Sequence, residues 1–347
     1  GAWAKKDPIA AAQVIAKIPF SHAREKAMVE LSQVWAAEDP QAALNYANEN
    51  MSGDPQRELV ANVIKQWVTD DFESAIAYAA GQKNASLLAS MSGPLVSAWA
   101  KIDPAAALAW SEDSLRAPAR VAAVSEIIGV IAKGNREAGA QMVADLPPGG
   151  TKNQAAATLL TTWINQSSPD AKAIGSWLAG FDDMVAQEHA IRQVAWEWMH
   201  KHPESAKAFV ESEHGHLAPE HMFRRLARDE VRADPHAALK WAGSLNGDAA
   251  SSARKYVVEN WYQVQPDAAM QWATRVAKGD DRTQAIQSIS RSVAISSEDR
   301  IRVWANALNA DERRVALETM DSMRLAEKYA SRVSKVFGEA EPLRTTI

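Results

Sequence analysis

Residues 35–44 read Trp-Ala-Ala-Glu-Asp-Pro-Gln-Ala-Ala-Leu, and the same order of aromatic, Asp-Pro pair and small residues returns at 99–108. An Asp-Pro pair is a helix start, because the carboxylate can accept from the orphan amides of the first turn and a proline there has no amide to lose. With Asp39-Pro40 as anchor, equivalent pairs fall at Asp7-Pro8, Asp71-Phe72, Asp103-Pro104, Asn135-Arg136 and Ser168-Pro169, then at His202-Pro203, Asp234-Pro235, Gln265-Pro266 and Ser297-Glu298. The spacing is about 32 residues throughout, which is the signature of a repeat architecture.

Eight residues before each anchor the chain is always apolar, at Leu31, Val63, Leu95, Ile127, Leu160, Val194, Leu226, Val257 and Ile289. Twelve before it the residue is Ala, Leu or Met, and four before it, in six of the repeats, stands a tryptophan: Trp3, Trp35, Trp67, Trp99, Trp198 and Trp261. Steps of four along one stripe predict a helix with a buried face, helix A. After the anchor come small residues, then a bulky one seven positions on, as at Tyr46, Tyr78, Trp110, Phe209, Trp241, Trp272 and Trp304. That is helix B, and the tryptophans of both registers read as one core layer rather than as platforms for sugars or bases. A second break at Gly53, Gly81, Gly180, Gly215, Gly247 or Gly279, or at a proline, predicts a left-handed turn ending helix B.

The fold class predicted is therefore all-α, a right-handed superhelical solenoid of about ten helix-turn-helix repeats spanning residues 1–310 as a single continuous domain. The first repeat is truncated to a stub of helix A around Trp3, so the natural chain is expected to continue upstream. Gly1-Ala2 reads as a cleavage scar with any targeting segment already removed. Residues 311–337 form a degenerate capping repeat, with Asp321 where an apolar residue should stand, and 338–347 a flexible tail.

The order aromatic, small residue, aromatic resembles the tetratricopeptide and Sel1-like class of α-solenoids, on Trp35, Ala42 and Tyr46 and again on Trp99, Ala106 and Trp110. The Asp-Pro start replaces the family's glycine-containing turn and shortens each repeat by two residues. What the resemblance implies is a partner bound along a concave face lined by the first helices.

Composition bounds the chemistry. The chain has 47% apolar and 23% charged residues, no cysteine and a net charge of −5. No disulfide, thiol nucleophile or zinc-thiolate site is available, and nothing in the charge asks for nucleic acid or membrane insertion. Absence of cysteine leans towards a bacterial extracytoplasmic compartment. No metalloprotease, P-loop, nucleophile-elbow or dinucleotide motif occurs, so no enzyme activity, metal or cofactor is expected. Six histidines lie between 189 and 221 without the spacing of convergent ligands, and Asp182-Asp183 and Asp280-Asp281 read as turn residues.

The stripe of helix A facing away from the core lies ten, six and two residues before each anchor. It is mostly polar, with Lys65 and Thr69, Glu259 and Gln263, and Gln287 and Arg291. In two adjacent repeats it becomes Arg192, Trp196 and His200, then Arg224, Arg228 and Arg232. Two readings stay open: a solvated face closed by Glu197, Asp229 and Glu230, or a site for an anion or an acidic peptide where Arg forks and an aromatic face act together. The function expected is a protein-interaction or scaffolding module. The alternative is the helical accessory region of a larger enzyme acting on a polymer such as peptidoglycan, resembling the superhelical part of soluble lytic transglycosylases.

Overall fold

The protein is described by a computed structural model covering residues 6–19, 21–275, 279–296 and 298–337. The described residues form α-helices and one short 3-10 turn, with no strand among them. Trp3, Ser297 and the tail 338–347 lie outside the described residues.

Long and short helices alternate. The first ten are α1 (Pro8–Ala16), α2 (His22–Glu38), α3 (Pro40–Asn50), α4 (Gly53–Asp70), α5 (Phe72–Gly81), α6 (Ala85–Trp99), α7 (Pro104–Ser114), α8 (Ala119–Gly134), α9 (Arg136–Asp145) and α10 (Gly150–Ile164). The next ten are α11 (Ala171–Ala179), α12 (Met184–Lys201), α13 (Pro203–Glu211), α14 (Glu220–Ala233), α15 (Pro235–Ser244), α16 (Gly247–Val264), α17 (Pro266–Arg275), α18 (Gly279–Ser296), α19 (Glu298–Ala305) and α20 (Ala310–Phe337). They divide into two compact units, one of residues 1–169 and 181–194, the other of 170–180 and 195–347.

Within each unit the long helices pack on one another in chain order. In the first, α2 meets α4, α4 meets α6, α6 meets α8 and α8 meets α10; in the second, α14 meets α16, α16 meets α18 and α18 meets α20. The register explains why. Every residue eight before an anchor is buried, from Leu31 to Ile289, as are Leu59, Met91, Ala123, Ala156, Ala190, Met222, Ala253 and Ala285 twelve before it. The aromatic registers meet across the corner between the two helices. Trp35 packs on Tyr46, Trp67 on Tyr78, Trp99 on Trp110, Trp198 on Phe209 and Trp261 on Trp272, with ring centroids 5.1–6.0 Å apart. Tilted pairs at this separation add to simple area burial.

The corner itself is one residue long in most repeats. Asp39 donates its backbone N–H to Trp35 O at 2.8 Å, closing α2, while its carboxylate accepts from Ala42 N at 2.9 Å, opening α3. Asp71 and Asn135 do the same between α4 and α5 and between α8 and α9. At Ser168-Pro169 the expected start is displaced: α11 begins at Ala171, because Asp170 accepts from both Lys172 N and Ala173 N. The glycines act at the other junction, and differently from expectation. Gly53 and Gly247 take φ of +67° and +51° as the first residues of α4 and α16, so the left-handed turn launches the long helix rather than ending the short one. Residues 311–337 belong to one continuous helix, α20, whose buried side chains include Ala316 and Met320. Asp321 is exposed, so the register has moved by one residue and the acid faces water.

Candidate functional site

The outward stripe of the second unit builds a cleft of about 440 Å³, lined by Arg224 of α14, Lys255, Tyr256 and Glu259 of α16, Arg291 of α18 and Met323 of α20. Helical periodicity places them there. Arg224 and Lys255 stand ten residues before their anchors, and Glu259 and Arg291 six before theirs, so successive long helices present equivalent positions side by side.

Tyr256 is the floor. Its ring is buried, and both cations lie over it, Lys255 Nζ at 4.7 Å from the centroid and the Arg224 guanidinium carbon at 5.1 Å. Its hydroxyl accepts from Lys255 Nζ at 3.3 Å and from Arg224 at 3.5 Å, and donates to the Glu220 carboxylate. Lys255 also donates to Glu220 Oε1 at 2.9 Å. The hydrogen bonds from Tyr256 and Lys255 hold the Glu220 carboxyl down at about 2. Burial opposes the charge on Lys255, but its bonds to Glu220 and Tyr256 outweigh it and raise its pKa above the ordinary lysine value. Glu259 is the opposite case. It is half-buried, and burial pushes its carboxyl above the usual range against the pull of Lys255, Arg291 and Arg224.

Of the six residues singled out from the sequence, Arg224 joins this cleft and the others lie elsewhere. Arg192, in the first unit, is exposed and paired with Glu188 one turn earlier. In the second unit Trp196 is 56% exposed and stacks on His200, the rings 5.4 Å apart and 11° from parallel. Arg228 is half out in water with Asp229 at 3.7 Å, and Arg232 is exposed. Of the three expected counter-charges, Asp229 lies beside Arg228, while Glu197 and Glu230 pair with Lys201 and Lys207. Lys255, Tyr256 and Glu220 were missed by the sequence reasoning. Lys255 was findable, since it occupies the same stripe as Arg224 one repeat on.

Two other places bring polar or apolar side chains together. Ser176 Oγ lies 3.4 Å from His214 Nε2, and Glu213 Oε1 lies 3.7 Å from the same nitrogen. A nucleophile relay needs its base and orienting acid on opposite ring nitrogens, so this arrangement does not activate the serine. A wider groove of about 810 Å³ lies on the short helices α17 and α19, floored by Met270 and Trp304 and rimmed by Asp267 and Arg300, which pair with each other. Among the described residues no three His, Asp or Glu side chains converge as for a metal, and no helix is long and apolar enough to cross a membrane. Compared with protein-family models, curated proteins and solved structures, the chain matches none.

Proposed function

We propose that the chain is an α-solenoid of about ten helix pairs that works as a protein-interaction module, its partner lying along the long-helix face with an acidic side chain in the cleft of the second unit. The observation that carries this reading is the convergence of Arg224, Lys255 and Arg291, from three successive long helices, on one concavity with an aromatic floor. A peptide running across the helices meets equivalent positions at each one, and partly desolvated guanidinium groups bind carboxylates far better than solvated ones. The likeness to tetratricopeptide repeats supports the choice of face.

The test is binding of the intact chain to glutamate-rich peptides, followed by fluorescence anisotropy. Charge reversal at Arg224 should weaken binding at least tenfold, reversal at Arg228 or Lys65 only slightly, and binding should fall as salt rises through the range where the screening length is about 8 Å. Equal losses at Arg224, Arg228 and Lys65 would reduce the effect to net charge and sink the reading.

A second reading is favoured by Trp196 on His200, a flat exposed ring pair of the kind that stacks on sugars. It corresponds to an accessory region of a polymer-acting enzyme. Affinity for soluble glycan fragments that vanishes in Trp196→Ala would favour it.

A further inference from the structure

The cleft holds a feature that a simple anion trap would avoid: an acid in the middle of it. Glu259 lies one turn after Lys255 on α16, with Arg224 facing it from α14 and Arg291 from α18. The other groups around it are Tyr256 on its own helix, Glu220 on α14, and the uncharged Met323 on α20. Glu220 is already committed to Lys255 and Tyr256. Any carboxylate that reaches Arg224 and Arg291 together must come up against Glu259.

Two carboxylates sharing one cleft repel each other when both are ionised, and sharing one proton between them relieves that repulsion. The proton belongs on the member with less solvent and fewer direct donors. That is Glu259, which is half-buried, whereas the incoming group gains the guanidinium donors. Building on the reading of this cleft as a peptide site, we propose that it accepts a carboxylate side chain of the partner against a protonated Glu259, so that each binding event takes up one proton from solvent. The protonated acid then donates a hydrogen bond to the ligand where the ionised one would repel it, and the module binds its acidic partner more tightly in a mildly acidic compartment than at neutrality. Of the other groups, Arg224 and Lys255 are raised above their ordinary values and stay cationic through this range, and Glu220 stays ionised down to about 2, so Glu259 is the group that changes charge.

The experiment is isothermal titration of the intact chain with a blocked hexaglutamate peptide between about pH 7.5 and about pH 5.5, in pairs of buffers differing in ionisation enthalpy. Affinity should rise as pH falls, by up to about tenfold per pH unit, with proton uptake approaching one. Glu259→Gln, which keeps the shape and supplies a permanent donor, should bind at neutral pH as tightly as the unaltered chain does in acid and show little pH dependence. Glu220→Gln should retain the dependence. Peptide binding that ignores pH, or a pH dependence that survives in Glu259→Gln, overturns the proton linkage and leaves the peptide site standing. No binding by either protein at any pH overturns both.

Discussion

Trp67 and Tyr78 are eleven residues apart, on opposite sides of a one-residue corner, and their rings meet at 5.4 Å with planes 51° apart. The same separation in sequence brings together Trp35 and Tyr46, Trp99 and Trp110, Trp198 and Phe209, and Trp261 and Trp272. Each of these five helix pairs thus carries its own aromatic contact. Where the tryptophan is replaced by Glu230, the acid turns to Lys207 at 2.6 Å and Trp241 donates its indole N–H to Glu211 instead.

Removing one ring should therefore act locally. Trp67→Ala is expected to cost about 3–5 kcal/mol, since the side chain is buried and the cavity opens between α4 and α5. Hydrogen exchange should accelerate in those helices and their neighbours while α8 to α10 stay protected. Uniform loss of protection along the first unit would contradict nearest-neighbour stability.

A methyl group at Gly175 would come within 2.7 Å of the His214 ring, and the same imidazole is contacted by Ser176. Gly175→Ala should destabilise the second unit by about 1–3 kcal/mol through overpacking. Combined with His214→Ala the cost should largely disappear. Denaturant titrations of the two single variants and the double variant decide it, and strictly additive effects would mean the clash is relieved elsewhere.

Buried and exposed ion pairs should separate cleanly. Arg24 of α2, 6% exposed, binds Glu58 of α4 at 3.1 Å, so Glu58→Ala takes a carboxylate away from a buried guanidinium and should cost about 3 kcal/mol. The Arg57–Asp54 pair is mostly in water, and Asp54→Ala should cost under about 1 kcal/mol. Similar losses at the two sites, measured by urea unfolding, would refute the distinction.

The acid side of the stability curve follows from three carboxyls. Hydrogen bonds from Tyr256 and Lys255 hold Glu220 at about 2 against an ordinary 4.5, and those from Arg282 hold Glu312 below its ordinary value. Their contributions are present above the ordinary value and are lost as pH falls below it. Glu259 is raised by burial, so it favours the fold increasingly as pH drops through its raised value. The melting temperature should pass through a maximum between neutrality and about pH 4.5, then decline. Glu259→Gln should abolish the rise and leave the decline, a pattern that thermal scans across pH would reveal or refute. Because Glu220 is largely exposed, its share should shrink with added salt.

The buried registers were legible in the sequence because burial repeats with the period of the chain: Leu31, Val63 and Leu95 could be aligned by eye, and all are in the core. The cleft was legible only in part. A four-residue step turns a helix by about 400°, so Arg224, Arg228 and Arg232 fan across about 80° instead of sharing one line. Only Arg224 lands over Tyr256. Tyr256 itself escaped notice because it stands nine residues before its anchor, a register held by Glu30, Asn62, Glu126 and Arg225 in other repeats, so the periodic core pattern did not mark it. The displaced start of α11 was not legible either, since Ser168 and Asp170 are both good caps and it is Asp170 that accepts the first-turn amides of Lys172 and Ala173.

The one-residue corner also decides where the chain can change its length. At Asp39 a single residue both finishes one helix and begins the next, so an added residue would swing the following helix by about 100° and carry Tyr46 away from Trp35. The opposite connections are free of that constraint: a few residues separate α5 from α6, while eight, including a 3-10 turn, lie between α13 and α14. Where the corner is a single residue, growth and loss of sequence are thus confined to the other side of the helix pair; the longer corners between α6 and α7 and between α10 and α11 are free of that limit.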